Sequence, residues 1–317
     1  MSIKRVLIDC DPGIDDSIAL ILALKSRELK VEAITAVTGN LQSTMTSKNA
    51  RKILEMVGKA EVPVSKGSML PLNGIYPHDP FSHGEDGLGN TYLPESDIKL
   101  DPKPATEMIY HTVKKFPGEV TVICLGPLTN IALTILQYPE FVNLAKELIV
   151  IAGSFGFNRY GLEYATGGNP SSEWNVFVDP EAAKIVFHSG LEITAVGLDV
   201  ATHPALKVNQ DHRKRLRKAN KPETNYFLQL IQFVENRGFR AYCVLIDSLA
   251  VAAAIRPDLI KTRKVYVDIA TEGKLTRGQT VVDHRKNFQW NDLPQISAAY
   301  KVDFPVFLEL LVSRIID

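Results

Sequence analysis

The 317-residue sequence is poor in several things, and each shortage excludes a class of protein. It has three cysteines, Cys10, Cys124 and Cys243, too few and too scattered for a disulfide framework or a zinc site. Two of them lie in the apolar runs VLIDC and VICLG, where a thiol serves as a small buried hydrophobe. It has no net charge. Its 36 Lys and Arg balance 36 Asp and Glu, so no long-range field draws the chain to nucleic acid or an anionic membrane. No stretch approaches the roughly 20 apolar residues of a membrane span. The N-terminal MSIKRVLIDCD reaches a carboxylate too soon to contain the apolar core of a secretion signal. These features predict a soluble, reduced, cytoplasmic protein. A composition of 45% hydrophobic and 23% charged residues is ordinary for a globular chain and excludes disorder, collagen-like repeats and coiled coils. Charged chemistry must therefore be local.

What the sequence has is alternation. Residues 6–9 form a short apolar strand that runs into the turn Asp11-Pro12-Gly13, and Ile18, Leu20, Ile21 and Leu24 follow at helical spacing. A strand at 31–37 and an amphipathic helix at 44–57 repeat the pattern. The apolar run VTVICL, 120–125, predicts a strand buried on both faces, with a helix opening near Pro127. Strands at 147–152 and 192–196 follow, then VYVDIA, QTVVD and a last helix at 304–316. The alternation predicts an α/β fold: a single domain over residues 1–317, built on one open, doubly wound, mostly parallel sheet with helices on both faces. Three segments interrupt it. Residues 67–102 and 153–172 are Gly-rich loops, of the length that usually carries function. Residues 203–223 carry DHRKRLRKANK, which predicts a solvated helix face, because no aromatic residues are interleaved for stacking.

The densest chemistry is DCDPGIDD, residues 9–16. Four carboxylates follow a strand directly, at the sheet edge where α/β proteins bind ligands. Asp15 and Asp16 would open the next helix, where its dipole favours acids. Helix capping accounts for one or two of the four. For the whole set, mutual repulsion favours a bound cation, and oxygen-only ligands select a hard ion such as calcium or magnesium. Asp247, in LIDSLAVAAAI, reads on its own as a helix N-cap. In GGNPSSEWNVFVDPEAA, Asn169, Glu173, Trp174 and Asn175 gather amides, an acid and a ring suited to sugar hydroxyls, although Asp179-Pro180 is also a plain helix start. SHGEDGLG, 82–89, suits a loop wrapping a ligand or an ordinary turn.

Together these blocks resemble the inosine–uridine preferring nucleoside hydrolase family over nearly the whole chain. DCDPGIDD is similar to that family's N-terminal signature, and VTGN, HGEDGLG, LGPLTNIAL, SSEWNVFVDPEAA, LIDSLAVAAAI and TRGQTVVD resemble its later blocks, in order. The resemblance implies a calcium-dependent enzyme that hydrolyses the N-glycosidic bond of ribonucleosides in purine and pyrimidine salvage. It implies that Asp11 is both calcium ligand and general base on the attacking water. Asp16, Asp247 and the Leu125 carbonyl would complete the metal set, with Asp9 in support. Asp15, Asn40, Glu173 and Asn175 would hold the ribose, and His83 would lie near the 5′ end or the base. A homodimer or homotetramer is also implied.

The sequence departs from the family at the base pocket. Ile246 stands where many members carry the His that protonates the leaving base, and an aliphatic side chain donates nothing. His83, Tyr226 and Cys243 are candidate replacements, and Trp174, at a position usually Phe, offers a ring for stacking. Gly167 falls where the family has Asn, which leaves Asn169, two positions on, for the 5′-hydroxyl. Ile151 stands where Met is frequent. Base preference stays open, as do two alternatives: a catalytically silent ribose- or nucleoside-binding homologue, and a magnesium phosphohydrolase, which Pro12-Gly13 argues against.

Overall fold

The computed structural model describes residues 3–77, 82–287, 290 and 292–317; part of the expected 67–102 loop, residues 78–81, lies outside the described residues. The described strands are β1 (Lys4–Cys10), β2 (Leu29–Ala36), β3 (Val64–Lys66), β4 (Val120–Cys124), β5 (Glu147–Ile151), β6 (Ile193–Val196), β7 (Ile260–Ile269), β8 (Thr280–Val282) and β9 (Gln295–Val302). They form one nine-stranded sheet in the order β3-β2-β1-β4-β5-β6-β9-β7-β8. Pairing is parallel from β3 through to β9, and β7 and β8 are antiparallel additions at the far edge.

The period of two in each strand explains the continuous apolar runs. Val6, Ile8 and Cys10 join a core with the helices Ile14–Lys25, Ser43–Met56, Pro222–Asn236, Ser248–Ile255 and Phe304–Ile316. Leu7, Val122 and Cys124 point the other way, into a core with the helices Ala105–Lys115, Thr129–Gln137 and Pro180–Phe187. Both faces are covered, so neither set of side chains needs to be polar. The expected doubly wound, mostly parallel α/β architecture is the one observed. The basic run lies on the Gln210–Ala219 helix, where only His212 and Leu216 are buried.

Two strands escape sequence reading. β3 has three residues, too few for a period. QISAAYKV forms β9 with only Ile296 and Val302 as buried apolar side chains larger than alanine, so its pattern is weak; pairing with β6 and β7 makes it a strand. The sheet turns in opposite directions from β1 and β4, which places a switch point between their carboxyl ends. Asp11-Pro12-Gly13 follows β1 there, and LGPLTN follows β4.

Candidate active site

The acids collect at that switch point. Asp11 ends the run from β1, and Asp15 and Asp16 lie in the first turn of the Ile14–Lys25 helix. Asp16 caps this turn: its Oδ1 accepts from Asp11 N at 3.1 Å and its Oδ2 from Gly13 N at 3.1 Å. Asp247 arrives from the far end of the sequence, at the N-cap of the Ser248–Ile255 helix, but its side chain makes no capping bond. Carboxylate oxygens of Asp15, Asp16 and Asp247 all lie within 4.8 Å of one another.

The packing around Asp11 leaves no slack. Its Oδ2 accepts from Asn40 N at 2.6 Å, and a Cβ on Gly39 or Gly126 would stand 2.1 or 2.4 Å from its carboxylate oxygens. Asn40 Nδ2 reaches back to Asp11 O at 3.3 Å and Asp16 Oδ2 at 3.1 Å. Asp9 turns to the other side of β1, where Thr35 Oγ1 (2.5 Å) and Asn130 Nδ2 (2.8 Å) donate to its Oδ1.

Among the described residues no Lys or Arg pairs with any of these acids; the basic side chain that approaches them is His83, whose Nδ1 is 4.0 Å from Asp15 Oδ1. Burial, then the charge of Asp16, pushes the Asp11 and Asp15 carboxyls well above the usual range. Burial, then Asp15 and Asp16, does the same to Asp247. Burial alone raises Asp9 to about 7. Two carboxylates 4.8 Å apart repel by about 3 kcal/mol at an effective dielectric of ~20, more than the roughly 1 kcal/mol that a helix cap contributes. Capping therefore does not explain the cluster. Asp11 Oδ1 and Asp15 Oδ1 are buried without a hydrogen-bond partner, all the donor atoms are oxygen, and no Lys or Arg among the described residues supplies a counter-charge. These residues fit a hard divalent cation.

The acids floor a cavity of about 500 Å³, of the size that holds a small organic ligand. Asp15 and Asp247 reach its wall, whereas Asp11 and Asp16 lie behind them at zero exposure. Asn40, His83, Leu125, Glu173, Trp174 and Asn175 also line it. Glu173 caps the Trp174–Val178 helix: Oε1 accepts from Asn175 N at 2.8 Å, Oε2 from Val176 N at 3.0 Å and Gly153 N at 3.3 Å. Burial raises its pKa to about 7 against those donors. Asn175 Nδ2 donates to Leu125 O at 2.7 Å and Ile151 O at 3.0 Å, tying the helix to the ends of β4 and β5. His83 Nδ1 accepts from Ile14 N at 3.2 Å, so a neutral ring carries its proton on Nε2. A Cβ on Gly13 would stand 2.3 Å from that nitrogen. The rest of the lining includes the apolar Ile151, Leu198, Val234, Phe239 and Ile246 and the Trp174 ring, with Glu163, Thr166 and Arg240 among them.

Two expected residues are elsewhere. Tyr226 is buried in the helical core, where its hydroxyl bonds Ser17 Oγ at 2.9 Å, and it does not line the cavity. Asn169 is also off the wall: Nδ2 donates to Arg277 O at 2.7 Å, and Oδ1 accepts from Ser171 and Ser172. Its amide holds the loop together instead of facing a ligand. Conversely, Val234, Phe239 and Arg240 on the wall went unnoticed in the sequence, because an ordinary helix end and the loop after it carry no motif.

Comparison with known proteins agrees with this site. A family profile described as inosine-uridine preferring nucleoside hydrolase matches residues 6–309. An inosine-uridine preferring nucleoside hydrolase of Leishmania major is 36% identical over 318 residues, 98% of this chain and 97% of that protein. A pyrimidine-specific ribonucleoside hydrolase of Citrobacter koseri is 34% identical, covering 98% of this chain and 97% of its own. Among solved structures, a purine-preferring ribonucleoside hydrolase from Gardnerella vaginalis superposes with a TM-score of 0.87 at 30% identity, covering 99% of this chain and 98% of that one. Relatives of similar identity are thus named for different bases.

Proposed function

Because this chain belongs to the inosine–uridine preferring nucleoside hydrolase family and is an N-ribohydrolase, we propose that it cleaves ribonucleosides to ribose and free base around a calcium ion held by Asp11, Asp16, Asp247 and the Leu125 carbonyl. The observation that carries this reading is the buried acid group without a counter-charge, set at the floor of a nucleoside-sized cavity. Family membership sets the phosphohydrolase alternative aside. When bound, such an ion lowers the pKa of a water molecule and offers coordination to vicinal hydroxyls.

The chain's own residues supply the rest. Asp11 takes the proton of the attacking water through Oδ1, the oxygen that Asn40 leaves unengaged. Asp15, on the cavity wall in front of Asp11, receives the ribose hydroxyls together with Asn40, Glu173 and Asn175. N-glycosidic cleavage passes through an oxocarbenium-like sugar, and the surrounding carboxylates stabilise its positive charge. On the base side Ile246 has no proton to give. Trp174 stacks on the base, and His83 Nε2–H is the donor best placed to assist departure. Cys243 also lines the cavity, with its thiol pushed up to about 12 by burial, so it stays protonated. A cytoplasmic homodimer or homotetramer acting in nucleoside salvage belongs to the same reading.

The test is release of free base from uridine, cytidine, inosine and adenosine, with calcium and with chelator. Calcium-dependent release from at least one is expected. Tight nucleoside binding by calorimetry with no release from any would instead support a silent binding homologue, the second reading, which Ile246 on the wall favours.

A further inference from the structure

TRGQTVVD, residues 276–283, is absent from the cavity wall, yet it holds both ends of the 153–172 loop that leads to Glu173. It closes the hairpin of β7 and β8, with Ile269 opposite Thr280 and Gly278 N donating to Ala270 O at 2.7 Å. On one side, Asn169 Nδ2 donates to Arg277 O at 2.7 Å and Ser171 Oγ to Leu275 O at 2.6 Å, which pins the loop leading into Glu173. Gly278 lies so close to the next helix that a Cβ there would stand 2.6 Å from Phe177 Cα.

On the other side stands Thr280, which is buried. Its hydroxyl engages both main-chain groups of Ser154: it accepts from Ser154 N at 2.9 Å and donates to Ser154 O. The preceding residue, Gly153, is held in the left-handed region at φ +77°, and its N–H is one of the donors to Glu173 Oε2, at 3.3 Å. A Cβ on Gly153 would stand 2.5 Å from Thr280 Cγ2, so the side chain sets this turn by contact as well as by hydrogen bonds. A hydroxyl alone among small side-chain groups both donates and accepts here; valine has the same shape and does neither. Without it, two buried main-chain groups lose their partner and the Gly153 N–H is free to drift from the carboxylate.

We propose that Thr280 is a positioning residue that aims the Glu173 carboxylate at the ribose through the main chain of Ser154 and Gly153. The inference rests on the reading of Glu173 as a ribose contact. The experiment is a double-mutant cycle on the full-length protein with calcium present, reading kcat and KM for uridine and inosine and the melting temperature of each variant. Thr280→Val is expected to raise KM about five- to tenfold, the effect of weakening the one contact between Glu173 and the ribose, and to change kcat less than about threefold. Thr280→Ser, which keeps the hydroxyl, should stay within about twofold of the parent. In a Glu173→Gln background, Thr280→Val should add less than about twofold, because both changes act on one contact. If Thr280→Val does not fold, Thr280→Ala takes its place in the cycle. An unchanged KM in the folded Thr280 variant, or full multiplication of the two effects, overturns the assignment while leaving Glu173 as a ribose contact. An unchanged KM in Glu173→Gln overturns the ribose reading itself, and this inference with it.

Discussion

The two halves of the cavity are built by opposite rules. The acid half takes most of its groups from one octapeptide at the end of β1. Two of those carboxylates are fixed by short contacts, Asp11 between two glycines and the Asn40 N–H, and Asp16 by three main- and side-chain donors. The apolar half takes Ile151, Trp174, Leu198, Val234, Phe239 and Ile246 from separate parts of the chain, and Trp174 Nε1 has no hydrogen-bond partner among the described residues. Charge at one spot is costly unless every neighbour is placed to support it, so that half tolerates little variation. An apolar wall requires only matching shape, and many residue sets provide it. Relatives of similar identity are named for pyrimidine, purine or mixed preference.

Three further experiments would break or sharpen the contrast. The largest effect belongs to the acid half. Asp11→Ala should lower kcat on the order of a hundredfold or more, with the fold retained by circular dichroism. A rate near that of the parent removes Asp11 from the chemistry.

Next is the pH dependence of stability without metal. Unfolded carboxyls titrate near ~4. Folded Asp9 and Glu173 titrate at about 7, and Asp11, Asp15 and Asp247 are raised in the same direction, all chiefly by burial. The folded state therefore holds more protons in this window. The stability these groups contribute is fully present below the unfolded value and is lost as pH rises through about 7. Melting followed by calorimetry in chelator should show a temperature several degrees lower at about pH 8 than at about pH 6. Calcium should flatten most of that slope. A chelated protein that gains stability across the window would contradict the burial of these acids without a counter-charge.

The smallest effect is on the apolar wall. Ile246→His should leave inosine turnover equal or modestly higher, since it adds a donor where the parent has none. A sharp fall in a folded Ile246→His protein would show that the wall depends on Ile246 for more than its shape.

What could be read in the residues follows the same division. DCDPGIDD predicted a strand, a turn and an acid-headed helix, and Asp11, Asp15 and Asp16 stand there, because groups within eight residues are brought together by local geometry alone. Trp174 and Asn175 on the wall and Glu173 at the helix start were legible for a similar reason, as one short segment. Tyr226 was not: a tyrosine on an amphipathic helix looks the same whether its hydroxyl meets a ligand or Ser17. Asn169 had the composition of a ligand contact, and only the distant hairpin, with Arg277 O at 2.7 Å, shows where its amide goes.

By itself, then, the order of residues determined the alternating α/β architecture and the acid-rich turn, since hydrophobic period and local charge density act over one or two turns of chain. Only the tertiary structure brought Asp247 to within 4.8 Å of Asp15 and Asp16, chose the apolar wall, inserted β9 between β6 and β7 and set Thr280 against Ser154. Those contacts join segments far apart in the chain, and periodicity states which face is buried without stating against what.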